Sequence, residues 1–117
     1  MGDVTDYVAS LTGADHDLVA GVYARARELV PDVTEGRSYG MPALRYRGRP
    51  LLSAMSTARH VGLYPFSPGA LERSADVLAG LRTTKGSVAL DRSAPLPVDV
   101  VDRLVIERRD EIDAAEG

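Results

Sequence analysis

The apolar residues of this chain change their spacing at Pro31, and that change constrains the fold more than any other feature of the sequence. Before it, Val4, Tyr7, Val8 and Leu11 recur at i, i+3, i+4 and i+7, and Leu18, Val19, Val22, Tyr23, Ala26, Leu29 and Val30 share one stripe. This is the 3.6-residue period of two amphipathic helices, the first capped by Asp3 and ended at Thr12-Gly13, the second opened by Asp15 and stopped by Pro31. Beyond Pro31 the period falls to two, and Gly36, Gly40, Pro42, Gly48 and Pro50 break the chain at short intervals, so the middle third reads as sheet. Residues 43–46 alternate, Arg47-Gly48-Arg49 reads as a hairpin turn into residues 51–56, and residues 60–64 give the next strand.

A helix follows, with Ser67 as N-cap, Pro68 at its first position, Leu71, Ala75 and Leu78 on one face and Gly80 as its stop. Residues 87–90 give a short strand. The last helix opens at Pro97, places Asp99 and Asp102 near its N-terminus and Arg108 and Arg109 later, and buries Val98, Val101, Leu104, Val105 and Ile112. The order predicts an α+β fold in which a single antiparallel sheet of about 4–5 strands is flanked by helices, with residues 1–117 as one domain.

At 117 residues there is room for one core. No apolar run approaches the roughly 20 residues of a membrane span, and Asp3 and Asp6 stand where a signal peptide would be basic, so the expected location is cytoplasmic with no membrane partner. The absence of cysteine excludes disulfides, thiol nucleophiles and cysteine-bound metals. A net charge of −3 disfavours nucleic acid as a partner, although Arg37, Arg45, Arg47, Arg49 and Arg59 collect in the sheet region. Alternation along a half-solvated sheet accounts equally well for that set.

Familiar catalytic patterns are missing. His16 and His60 stand in no metal-ligand spacing, Ser38, Ser53 and Ser56 lack a nucleophile-elbow context, and Lys85 precedes Gly86 where a phosphate loop needs the reverse order. Carboxylates on the N-terminal helices, Asp3, Asp6, Asp15 and Asp17, are candidate oxygen ligands for a hard cation, though helix caps and surface charge explain them as readily.

Four blocks of the sequence resemble the YdhG-like family of small frataxin-like bacterial proteins, a domain of unknown function. They are Thr5-Asp6-Tyr7-Val8, Ser38 to Ala43 with Gly48-Arg49-Pro50-Leu51, His60-Val61-Gly62-Leu63-Tyr64-Pro65, and Thr83-Thr84-Lys85-Gly86-Ser87. The resemblance implies a compact α+β fold, no enzymatic activity and, for some members, a role as an intracellular iron chaperone. Iron is thus the one metal it brings into consideration, with Asp3, Asp6, Asp15 and Asp17 as the nearest carboxylates. The same blocks suggest a second site, because Tyr39, Met41, His60, Tyr64 and Lys85 come from separate segments that could converge at one sheet surface or loop edge. An aromatic wall, an imidazole and an ammonium suit a small anion or a peptide carboxylate. A contrasting expectation, acid–base catalysis by His60 beside Tyr64 and Lys85, requires His60 and Lys85 to line one cavity. Self-association through an exposed strand edge is a third.

Overall fold

The computed structural model describes residues 2–116. Its elements are α1 (Asp3–Ala9), α2 (Gly13–Leu29), β1 (Thr34–Ser38), β2 (Met41–Tyr46), β3 (Arg49–Ser56), β4 (Val61–Tyr64), α3 (Pro68–Arg73), β5 (Arg82–Thr83), β6 (Val88–Leu90) and α4 (Val98–Glu116). Six strands form one antiparallel sheet in the order β1-β2-β3-β4-β6-β5. The α+β expectation holds, with two strands more than the alternating pattern defined. β1 has no large apolar residue because its partners are polar: the Thr5 amide and hydroxyl of α1 both donate to Glu35 at 2.6 Å, and Arg37 lies 3.7 Å from Asp3. β5 is two residues long, too short for any period to register.

Cross-strand neighbours share a face of a sheet, and the register puts Leu44 beside Leu52, Ala54 beside Leu63, Leu63 beside Val88 and Val61 beside Leu90. These residues form one buried cluster with Val19 and Val22 of α2 and Val101, Leu104 and Val105 of α4. On α4 the buried stripe is Val100, Val101, Leu104, Val105 and Ile112; Val98, expected inside, is 45% exposed, the first helical residue lying at the edge of that stripe. Asp3 is the first helical residue rather than the cap, which is Gly2, and Asp15 lies within the first turn of α2. Ser67 caps α3 as expected, its hydroxyl accepting from the Ala70 amide, but regular helix stops at Arg73 and the chain reaches Gly80 as turns.

One break in the sheet is filled by a side chain. β2 and β3 pair from Tyr46 back to Leu44, with a register shift between Arg45 and Leu44, and no pairing continues to Pro42, which has no amide hydrogen to offer. The buried Tyr23 hydroxyl of α2 enters the gap, accepting from the Ala54 amide at 2.8 Å and lying 3.2 Å from the Pro42 carbonyl and 3.1 Å from that of Ala54. Ser53 donates to the same Pro42 carbonyl at 2.7 Å. Burial pushes the Tyr23 phenol above its ordinary pKa, so it remains protonated and able to donate.

Candidate functional site

The helices do not cover the sheet evenly. α1, α2 and α4 pack over β1 to β4, and Arg25 of α2 grips Asp102 of α4 through two parallel bonds of 2.6 and 2.9 Å. That guanidinium holds the Asp102 carboxyl below the usual range. The β6–β5 end has only the six-residue α3 and the turns after it. α3 is fastened to α4, not to the sheet: Arg73 pairs with Glu107 at 2.7 Å and Glu111 at 2.6 Å, and Ser67 donates to Glu111 at 2.8 Å. Burial opposes ionisation of Glu111, but the bonds from Ser67, Arg73 and Arg108 outweigh it and keep the carboxyl below its usual range. A short helix held off the sheet in this way leaves a groove between itself and β5.

This groove encloses about 480 Å³ and is lined by Pro68, Leu71, Ala75 and Leu78, with Glu72, Thr83, Thr84 and Lys85 supplying its polar groups. Neither Glu72 nor Lys85 has an oppositely charged partner among the described residues. Lys85 sits at the tip of the β5–β6 hairpin, a turn closed by Thr84 and Ser87 through a backbone bond of 2.9 Å and a hydroxyl bond of 2.8 Å.

A second depression of about 300 Å³ adjoins the groove and shares Pro68 with it; its other walls are Tyr39, Met41, Tyr64, Phe66, Ser67 and Gly86. The rings of Tyr39 and Phe66 stack at 5.9 Å with 16° between their planes. Both residues have left-handed backbones, φ 51° and 58°, a conformation that L side chains adopt at a cost of about 1–3 kcal/mol. Tyr39 and Gly40 form the two-residue turn between β1 and β2, the pairing of Ser38 with Met41 closing it, and asparagine is the residue that such a turn prefers where Tyr39 stands. Tyr39 is nonetheless 87% exposed, the most exposed large apolar side chain described. Arg47 and Gly48 make the β2–β3 turn with the same left-handed values, φ 53° and 77°, so the backbone belongs to the hairpin; what sets Tyr39 apart is the aromatic ring it displays there.

Of the five residues expected to converge, Tyr39, Met41 and Tyr64 do so, and Lys85 lines the adjoining groove. His60 does not. It precedes β4 whereas Tyr64 ends it, so about 13 Å of extended chain separates them, and His60 lines a different depression with Arg59, Arg82 and Asp91. The shared cavity that acid–base catalysis by His60 and Lys85 requires is therefore not formed. Phe66 and the groove residues Leu71, Ala75 and Leu78 escaped the sequence reading as site residues. The three groove positions follow an ordinary core spacing, and the one available signal was a lone Phe outside every apolar stripe.

The carboxylates considered for a cation do not converge. Asp3 faces Arg37, Asp6 is exposed and makes no ion pair among the described residues, Asp17 meets His16 at 3.1 Å, and Asp15 accepts from Ser56 at 2.5 Å while lying 3.3 Å from Arg92. Among the described residues no three of His, Asp and Glu stand close enough to share a metal ion. No helix among them is long and apolar enough to cross a membrane.

No family model and no curated protein matches the sequence. A solved structure does match in shape: YdhG, a DUF1801-family protein from Bacillus subtilis, superposes with a TM-score of 0.79 over 97% of this chain and 91% of its own, at 14% sequence identity. That degree of likeness establishes the fold, and this chain has the α+β architecture of a YdhG-like protein.

Proposed function

We propose that this chain is a non-enzymatic binding domain for a short peptide with apolar side chains, held in the groove between α3 and β5 and in the adjoining aromatic cleft. The observation that carries this reading is the groove's composition: an apolar floor of Leu71, Ala75 and Leu78 beneath two opposite charges, Glu72 and Lys85, that have no ion-pair partner among the described residues. An apolar lining with a few convergent polar groups is the usual form of a ligand site, and both volumes lie in or near the ordinary range. A purely anionic ligand would gain from Lys85 and lose to Glu72. A molecule with an ammonium, a carboxylate and an apolar body suits both, and the Tyr39–Phe66 stack offers a flat surface for a neighbouring side chain.

Iron handling, which the family resemblance suggests, would need carboxylates within reach of one ion; the dispersed Asp3, Asp6, Asp15 and Asp17 give it less support than the groove gives a peptide. Calorimetric titration with the tripeptide Phe-Ala-Leu tests the reading. Saturable binding is expected, weakened about fivefold by Lys85→Gln and abolished by Ala75→Tyr, which fills the groove from an exposed position. Binding unchanged in both variants would overturn it.

A further inference from the structure

β5 is so short that it leaves a depression on each of its faces. The outer one, opposite the peptide groove, encloses about 430 Å³ and is lined by Arg59, His60, Arg82 and Asp91 with Gly80, Leu81, Ala89 and Leu90. Its floor follows from the register. Ala89, which lines the depression, pairs with Arg82 on one side and with Gly62, outside it, on the other, so a residue with almost no side chain lies on the outer face and Arg82 rises at its edge. His60, Gly62 and Tyr64 alternate onto that same face. The Tyr64 ring folds back along the strand until its hydroxyl stands 2.7 Å from where a Cβ on Gly62 would be.

The guanidiniums here differ from the rest of the protein. Every arginine except Arg45, Arg59 and Arg82 has a carboxylate within 4.0 Å. Arg45 donates to the carbonyls of Arg37 and Gly48. Arg59 and Arg82 alone leave their side-chain donors unused among the described residues, and both line this one depression. Asp91 shares the rim, with one oxygen committed to the Ser93 amide at 2.9 Å and hydroxyl at 2.6 Å. In a chain whose other arginines are matched to carboxylates or, for Arg45, to carbonyls, two unmatched ones beside a small-residue trough form a place for an external oxyanion.

We propose that this depression binds a phosphate monoester or diphosphate group, with Arg59 and Arg82 as its charged clamp and the His60 side chain beside them as a hydrogen-bonding group. Guanidiniums recognise such groups through paired N–H···O bonds, which gives both geometry and strength. The site is distinct from the peptide groove and does not depend on it.

The test is a titration of the ¹⁵N-labelled protein with inorganic diphosphate at constant ionic strength, following the Arg Nε signals and the amides of residues 59–62, 82 and 89. Saturable shifts confined to these residues are expected, with apparent affinity falling about tenfold or more in Arg59→Gln/Arg82→Gln, while Arg47→Gln, which removes an arginine paired with Asp113, binds as the parent does. Shifts spread over all arginines, or equal affinity in the double variant, would overturn the site. A parallel titration with the single-stranded oligonucleotide dT10 separates the alternative source of phosphate. If dT10 binds with a steep salt dependence while diphosphate does not bind at all, the depression is part of a nucleic-acid track and the proposal fails.

Discussion

The two ends of the sheet are built on different terms. Over β1 to β4, long helices cover the strands, polar groups find partners and even the break left by Pro42 is closed by Tyr23. Toward β6 and β5 the cover thins to six helical residues and a run of turns, and there Arg59, Arg82, Lys85 and Glu72 make no ion pair among the described residues. Burial and saturation stabilise; unspent donors and exposed rings do not. The covered end therefore holds the fold, and the thin end, with the Tyr39 turn that reaches toward it, is where a ligand gains most from binding.

This contrast yields graded expectations. Leu104→Ala in the covered end empties a fully buried position and should cost about 2–5 kcal/mol in urea unfolding. Tyr23→Phe keeps the ring but removes the hydroxyl that accepts from the Ala54 amide, and about 1–3 kcal/mol should be lost by the same measure. Asp15→Asn discards the ion pair with Arg92 and should cost about 1 kcal/mol, while calorimetry with ferrous iron should show no saturable uptake by the parent protein. Tyr39→Asn should leave stability unchanged or raise it by about 0.5–1 kcal/mol, since asparagine accepts the left-handed turn, and yet weaken Phe-Ala-Leu binding. Should Tyr39→Asn prove as destabilising as Tyr23→Phe, the division between the two ends is wrong.

Acid should act on the covered end. Glu35, Asp102, Glu107 and Glu111 are all held below their usual range: Asp102 and Glu107 by their arginine partners, Glu35 and Glu111 by hydrogen bonds that outweigh the opposing effect of burial. A carboxyl that is more acidic in the folded state stabilises the protein above its unfolded pKa, and the gain disappears as pH falls through the folded value. Stability measured by urea unfolding should be level at neutral pH and decline below about pH 4.5, with a shallower decline in Glu35→Gln.

Much of this architecture was legible in the sequence, and the exceptions have physical causes. The stripes on α2 and α4 and the alternation in β2 and β3 reflect burial on one face, which leaves a period. β1 leaves none because Glu35 and Arg37 satisfy α1 by hydrogen bonds instead of apolar contact. At the site, Tyr39, Met41 and Tyr64 line one depression although the register puts the Ser38–Met41 turn at the end of the sheet where β4 begins, so their meeting is a long-range arrangement with no local signal. His60 belongs to the same motif in the chain but to the opposite end of its strand, a distance that residue identity alone does not reveal. Leu71 and Leu78 read as core and are core; that they also floor a groove depends on α3 being tied to Glu107 and Glu111, a long-range arrangement with no local signal.

The measurement closest to the central claim is an amide chemical-shift map of the ¹⁵N-labelled protein during titration with Phe-Ala-Leu. The expected result is saturable change confined to residues 39–41, 64–78 and 83–86, at the thin end and the Tyr39 turn. Saturable change centred instead on α1 and α2, around Asp3, Asp6, Asp15 and Asp17, would contradict the account and return the function to the helices.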